Sequence, residues 1–290
     1  MKIRPSILNS AATIWAKVPY PLRRIYYRMN SGYSLGSFLL PNREQVVEIC
    51  GGIAKGMKMR FNLNRDRLYY FGSYEESVQA VLTKLIRKDM TVFNIGANIG
   101  FHALALSRLV GTMGHVVAFE PSPKVRQKLI QNLSLNALDT RVCVEEYALS
   151  DFDGHAQFSL SLSDGQGRFE DLPFVQPGAS IQVPCRRLDT YVSQKGFCPH
   201  FILMDVEYAE GRVLRGMSHV LENCKPFILI EMHSADSISE SLIELERHKY
   251  FISTVPGLEI IKQPHSITRG HYLVAHSAHL NGPWPPIIER

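Results

Sequence analysis

From Thr91 onward, short apolar runs alternate with helical stretches, and this alternation constrains the fold more than any other feature of the chain. Thr91–Ile95, His115–Phe119, Arg141–Tyr147, Phe201–Val206 and Phe227–Met232 read as strands. Ile99–Val110, Ser122 to about Asn136, Glu210–Asn223 and Ser237–His248 read as helices between them. Ser122 is a suitable N-cap, with Pro123 at the first helical position. Tyr250–Val255 and Gly270–Ala275 supply two further strands. The pattern predicts an α/β fold with a mainly parallel sheet and helices on both faces. In such sheets ligands bind beyond the carboxyl ends of the strands.

Ahead of this region, Ile49–Phe71 has a short, strand-like pattern ending at Gly72, and Glu75–Arg87 reads as a helix. The rhythm breaks between residues 151 and 187. Asp153-Gly154 suggests a turn, Ala156–Leu162 alternates, Ser163–Ser180 is rich in Gly, Asp and Pro, and Ile181–Cys185 reads as a short strand. Such an insertion is either a substrate-side element or a surface excursion.

The first strand of the alternating region runs through Asn94-Ile95-Gly96-Ala97-Asn98-Ile99-Gly100 straight into a helix. Gly96 permits a tight turn and close approach of a ligand to bare backbone. Asn98 tolerates a left-handed conformation, and Gly100 is expected to let the helix start pack close to the sheet. Glu120 follows Gly100 by 20 residues, in Phe119-Glu120-Pro121 at the end of the next strand. An acid there can accept both hydroxyls of a nucleoside ribose. The full G-x-G-x-x-G fingerprint is absent, so a mononucleoside cofactor fits better than a nicotinamide dinucleotide for hydride transfer.

Asn94–Gly100, Phe119-Glu120-Pro121, Ala148-Leu149-Ser150-Asp151 with Gly154, Val183–Leu188-Asp189, Asp205-Val206-Glu207-Tyr208-Ala209-Glu210 with Leu214-Arg215-Gly216, and Ile230-Glu231 occur in order. Together they resemble the FkbM family of S-adenosylmethionine-dependent O-methyltransferases over roughly residues 60–235, and Gly72–Glu75 resembles the element preceding that family's first strand. The resemblance implies a class I methyltransferase fold: a Rossmann-like, seven-stranded, mostly parallel sheet flanked by helices. It also implies S-adenosyl-L-methionine as cofactor and methylation of a hydroxyl on a sugar, glycolipid or polyketide-like acceptor. Glu75, Asn94, Gly96, Ala97, Asn98, Gly100, Glu120, Pro121, Ala148 and Asp205 become the expected cofactor contacts. Three positions depart from the family pattern: Asn94 stands for a usual Asp, Leu203 for a usual Lys and Tyr208 for a usual Gly. These departures motivate a second reading, a catalytically weak or inactive scaffold that retains the fold.

Methyl transfer to a hydroxyl requires alignment of the oxygen with the methyl carbon and removal of a proton. Asp205 and Glu207 lie two apart after the fourth strand of the parallel set, and Glu231 and His233 repeat that spacing at the fifth. His233 is the favoured base because its ordinary pKa of about 6.5 lies near working pH. Asp205 is then expected to hold cofactor or acceptor, and Glu231 to orient His233 or bind substrate. The alternative for His233 is a cap on the following loop, and for Glu207 or Glu210 a favourable position at a helix N-terminus.

Charge completes the reading. Residues 1–42 carry Lys2, Arg4, Lys17, Arg23, Arg24 and Arg28 with no carboxylate, while the remainder holds 26 basic and 27 acidic side chains. The near-neutral body argues against nucleic-acid binding. A basic arm (residues 1–48) is therefore distinguished from a methyltransferase domain (49–290) with its cofactor-binding core at about 72–235 and an insertion at about 155–187. Ile14, Trp15, Leu22, Ile25 and Tyr26 interleave the basic residues, so the arm is either a peripheral contact for an anionic membrane carrying a glycolipid acceptor or a solvated extension. No run approaches the roughly 18–20 apolar residues of a membrane span, and no signal peptide is read, so a cytoplasmic protein, peripheral to the membrane at most, is expected. The five scattered cysteines, Cys50, Cys143, Cys185, Cys198 and Cys224, lead to an expectation of reduced thiols with neither a disulfide framework nor a metal site.

Overall fold

The computed structural model describes residues 43–160, 167–172, 179–263 and 266–281. The chain divides into two compact units, Met1–Gln79 and Ala80–Arg290. In the first, strands β1 (Glu44–Glu48) and β2 (Lys58–Asn62) pair antiparallel, followed by the short helix α1 (Arg67–Phe71). This corrects the strand-like reading of Ile49–Phe71, of which only Lys58–Asn62 is extended. The aromatic run Tyr69-Tyr70-Phe71 has the composition of a strand, but the chain closes into a helix ended by Gly72 at φ 65. β1 falls within the segment assigned to the basic arm, whose residues 1–42 lie outside the described residues. Helix α2 (Glu76–Leu85) carries the chain from the first unit into the second.

The second unit is built on a seven-stranded sheet. Its strands are β3 (Thr91–Ile95), β4 (His115–Phe119), β5 (Val142–Glu145), β10 (Phe201–Met204), β11 (Phe227–Met232), β12 (Tyr250–Thr254) and β13 (Gly270–His276). Their order is β12-β13-β11-β10-β3-β4-β5, parallel except where β13 pairs antiparallel with β11 and β12. This is the seven-stranded, mostly parallel class I methyltransferase arrangement. Every residue of β3 and β10 is buried, which explains why these strands read as continuous apolar runs rather than alternating ones. Helices α3 (Phe101–Val110), α4 (Pro123–Ser134), α5 (Leu188–Lys195), α6 (Glu210–Arg215), α7 (Ser218–Asn223) and α8 (Ala235–Arg247) complete the described part of the layer structure. Phe93, Phe119 and Tyr191 meet edge-on with ring centroids 5.0–6.0 Å apart in the core between sheet and helices. Burial of each such side chain contributes about 1.5–3 kcal/mol.

The predicted helix Glu210–Asn223 is two helices. A side chain at Gly216 would lie 1.9 Å from the carbonyl oxygen of Ser150, and the chain re-forms its helix only after this close approach. Asp189 then accepts hydrogen bonds from the backbone N–H groups of His219 and Val220, anchoring the start of α7. The region around the expected insertion is also more ordered than its composition suggests. Strands β6 (Ala148–Leu149), β7 (Gly154–Leu160), β8 (Gly167–Phe169) and β9 (Ala179–Arg186) form a second sheet in the order β6-β9-β7-β8. The intervening residues 161–166 and 173–178 lie outside the described residues.

The expectation that all five cysteines are reduced is corrected: Cys198 and Cys224 form a disulfide with their Cα atoms 5.7 Å apart, and Cys50, Cys143 and Cys185 remain thiols. Parallel register explains the pairing. Phe201 stands opposite Phe227, and each cysteine lies three residues ahead of its strand's first partner. Among the described residues, no helix is long and apolar enough to cross a membrane.

Register also links two of the three departures from the family pattern. Asn94 on β3 stands opposite Leu203 on β10, both buried. The Asp and Lys implied at these positions would be neighbours on one face, so their replacement by Asn and Leu removes two opposite charges together. Asn94→Asp alone should therefore leave an uncompensated buried charge and destabilise the protein by about 3–5 kcal/mol. Asn94→Asp/Leu203→Lys should recover a substantial part of that loss, as measured by urea unfolding. Equal stability of the wild type and the single variant would contradict this pairing.

Candidate active site

The carboxyl ends of β3, β4 and β10 meet where the strand order reverses, and residues there line a cleft. Gly96 ends β3 at φ 81, Asn98 takes φ 49 and Gly100 φ 97, so three of five consecutive residues adopt left-handed backbone. A Cβ on Gly96 would lie 1.8 Å from the Asp205 carbonyl oxygen; the two strand ends meet without room for a side chain. At Gly100 the close neighbour is not the sheet, as expected, but Leu129 of α4, whose Cδ1 would lie 2.6 Å from an added Cβ.

Glu120 is buried and lines the cleft at the end of β4. Its Oε2 accepts a hydrogen bond from the Asn98 N–H at 3.0 Å and its Oε1 from the Ser122 N–H at 2.9 Å. Burial pushes its carboxyl up to about 7, against the downward pull of these two bonds and of nearby Arg126. Gly96, Asn98, Pro121, Ala148 and Asp205 line the same cleft, as their assignment to the cofactor would require. Asn94, Ala97 and Gly100 act behind it. Asn94 is buried within β3, the Ala97 N–H donates to the Phe119 carbonyl, and Gly100 opens α3. Glu75 belongs to the N-terminal unit, where it takes φ 48 just ahead of α2.

Several lining residues escaped sequence reasoning. Phe158 on β7 and Phe169 on β8 face the cleft with their rings 5.4 Å apart, edge to face, and Tyr147 lies under the Arg186 guanidinium at 4.2 Å. The alternation of Ala156–Leu162 signalled a strand, but nothing local showed that its apolar face would close a binding cleft.

His233 lies just beyond β11, with its side chain only 2% exposed. Its Nδ1 is hydrogen-bonded to Glu210, whose side chain is fully buried. Nε2 points toward three carboxylates: Asp205 Oδ1 at 3.5 Å, Glu231 Oε1 at 3.7 Å and Glu207 Oε2 at 3.8 Å. The four expected catalytic residues thus form one cluster, and the orienting partner of His233 is Glu210 rather than Glu231. Nor does His233 cap the next helix. Ser234 does so, in a reciprocal capping box with Ser237. Burial opposes protonation of His233, yet its hydrogen bond to Glu210 and the charges of Glu210, Asp205 and Glu231 outweigh burial and raise its pKa well above the ordinary value.

Glu207 and Tyr208 take φ 47 and φ 76, so the position where the family pattern has Gly is one where a side chain is strained. The Tyr208 ring packs 5.4 Å from that of His233, and the Arg168 guanidinium lies over the Tyr208 ring at 5.1 Å while pairing with Glu207 at 3.7 Å.

Residues 94–252 match the methyltransferase FkbM domain. Hexuronic acid methyltransferase AglP of Haloferax volcanii is 30% identical over 161 residues, which cover 55% of this chain and 63% of that protein. The match thus spans a little under two thirds of that relative's length. A methyltransferase FkbM from Methylobacillus flagellatus KT aligns at 17% identity with a TM-score of 0.43, over 70% of this chain and 55% of that one. An S-adenosylmethionine-dependent O-methyltransferase from Thermotoga maritima aligns at 13% identity with a TM-score of 0.41, over 70% and 64% of the two chains. The domain match takes in the turn at Gly96, the acid at Glu120 and the cluster around His233, and it covers more than half of the sequence. The chain belongs to the FkbM family of S-adenosylmethionine-dependent methyltransferases.

Proposed function

We propose that this protein transfers the methyl group of S-adenosylmethionine to a hydroxyl of a sugar-like acceptor, free or lipid-linked. The observation that carries the reading is the presence at one sheet edge of a buried ribose-type acid, Glu120, and a cluster of proton-accepting carboxylates, Asp205, Glu207 and Glu231, around His233. In this reading Glu120 accepts hydrogen bonds from the ribose hydroxyls while Gly96 and Asn98 offer backbone to the nucleoside. Phe158 and Phe169 would exclude water from the cofactor's apolar side. The acceptor hydroxyl would approach from the His233 cluster, which takes its proton as the O–CH₃ bond forms and the S–CH₃ bond breaks. The name of the Haloferax volcanii relative favours a uronic acid or related sugar as the acceptor class. The basic segment 1–42 is consistent with an anionic, membrane-associated acceptor. A second reading, a methyltransferase-fold scaffold, draws on Tyr208, whose strained ring packs against His233.

Three measurements test these readings. Radiolabelled methyl transfer should be detected into uronic-acid-containing or lipid-linked glycans; cofactor binding without transfer to any glycan would favour the scaffold. His233→Ala should slow single-turnover methylation by about 10²–10⁴-fold while leaving cofactor affinity within a few-fold. An unchanged rate would remove His233 from the chemistry. Because burial raises the Glu120 carboxyl to about 7, the protein loses its charged ribose acceptor as pH falls through neutrality. S-adenosylhomocysteine binding should weaken by up to about tenfold per unit below that point. Glu120→Gln should bind weakly at pH 8 and show a flat profile; a pH-independent wild type would contradict the role of Glu120.

A further inference from the structure

We infer that Asp205, Glu231 and His233 form a binding site for one divalent transition-metal cation, with Glu210 as the residue that positions His233. One ligand atom from each of the three residues can be chosen so that all lie within 4.8 Å of one another. The distances from His233 Nε2 to Asp205 and Glu231, 3.5 and 3.7 Å, are too long for good hydrogen bonds. They approach the roughly 3 Å separation of adjacent ligand atoms bound about 2.1 Å from a common cation, so a small side-chain contraction closes the site.

Two further observations point to a cation rather than to a merely acidic surface. First, the imidazole is prepared as a ligand. It is almost wholly buried, its Nδ1 is held by Glu210, and its Nε2 is aimed into the cluster, 3.5–3.8 Å from oxygens of Asp205, Glu231 and Glu207. Metal-binding histidines are usually held in this way, with a carboxylate on one ring nitrogen while the other nitrogen faces the cation. Second, the charge is unbalanced. Four carboxylates, Asp205, Glu207, Glu210 and Glu231, surround one imidazole, and the Oε2 of fully buried Glu210 has no hydrogen-bond partner among the described residues. Arg168 lies 3.7 Å from Glu207 and His271 lies 3.4 Å from the far oxygen of Glu231, which orients that side chain without cancelling the excess.

A mixed nitrogen and oxygen donor set suits Mn²⁺ and its first-row neighbours better than Mg²⁺ or Ca²⁺, which favour all-oxygen sites. Three protein ligands leave coordination positions open. Asp205 also lines the cofactor cleft, so an acceptor hydroxyl could take one of them and be acidified there, its proton passing to Glu207. This last consequence rests on the proposed methyl transfer; the cation site itself does not.

The test is titration of the chelator-treated full chain with Mn²⁺ alone, followed by calorimetry and by loss of the free-ion electron paramagnetic resonance signal. One Mn²⁺ per chain should bind with micromolar affinity, and pulsed measurements should show coupling to an imidazole nitrogen that His233→Ala abolishes. Glu231→Gln and Asp205→Asn should each weaken binding at least about tenfold, and Glu210→Gln about 10–100-fold with a reduced nitrogen coupling. Circular dichroism of each variant verifies folding. Absence of binding, or binding unaltered in both Glu231→Gln and His233→Ala, would overturn the site. Mn²⁺ binding without methyl transfer would retain the site and remove the functional reading, whereas transfer unaffected by chelation in a protein that binds no Mn²⁺ would do the reverse.

Discussion

The backbone contact between Gly96 and Asp205 is the constraint on which the functional edge depends. Because β3 and β10 are adjacent and parallel, their ends emerge side by side, and the Gly96 position has no room for a Cβ beside the Asp205 carbonyl. This approach sends the chain after β3 into a left-handed turn whose N–H groups bond back to Phe119 and to Glu120. It also delivers the residues after β10 to the same edge as those after β11. A larger residue at Gly96 would push the turn after β3 away from the acids that follow β10.

That edge gathers more negative charge than it neutralises. Burial of Glu210 against His233 is tolerated because the imidazole provides an opposite charge and a hydrogen bond. The strain at Glu207 and Tyr208 accompanies this, because the same left-handed pair of residues leads directly into Glu210 at the start of α6. Charge, strain and close backbone approach therefore coincide at the carboxyl ends of β10 and β11. Elsewhere the unit has the fully buried, mainly apolar strands of a parallel sheet.

Legibility in the sequence followed the range of the responsible interaction. The parallel strands were readable because β3 and β10 are buried on both faces, so each is a mainly apolar run. The turn was readable because positive φ selects Gly96, Asn98 and Gly100. Much of the ordered motif set proved to be structural. Asp189 anchors α7, Asp151 pairs with Arg215 at 3.1 Å, and Gly216 accommodates Ser150. By contrast, the Cys198–Cys224 bond depends on equal offsets ahead of two paired strands, and the role of Glu210 depends on a partner 23 residues away. Phe158 and Phe169 became cleft walls only through folding of a second sheet. None of these has a local signature.

Hydrogen–deuterium exchange with and without S-adenosylmethionine tests the central claim most directly. A cofactor bound at this edge predicts protection concentrated in peptides covering residues 95–100, 119–122, 147–149 and 205–208, with the far ends of the strands unchanged. Saturating cofactor that protects none of these segments, or protects a different surface, would contradict the placement of the active site.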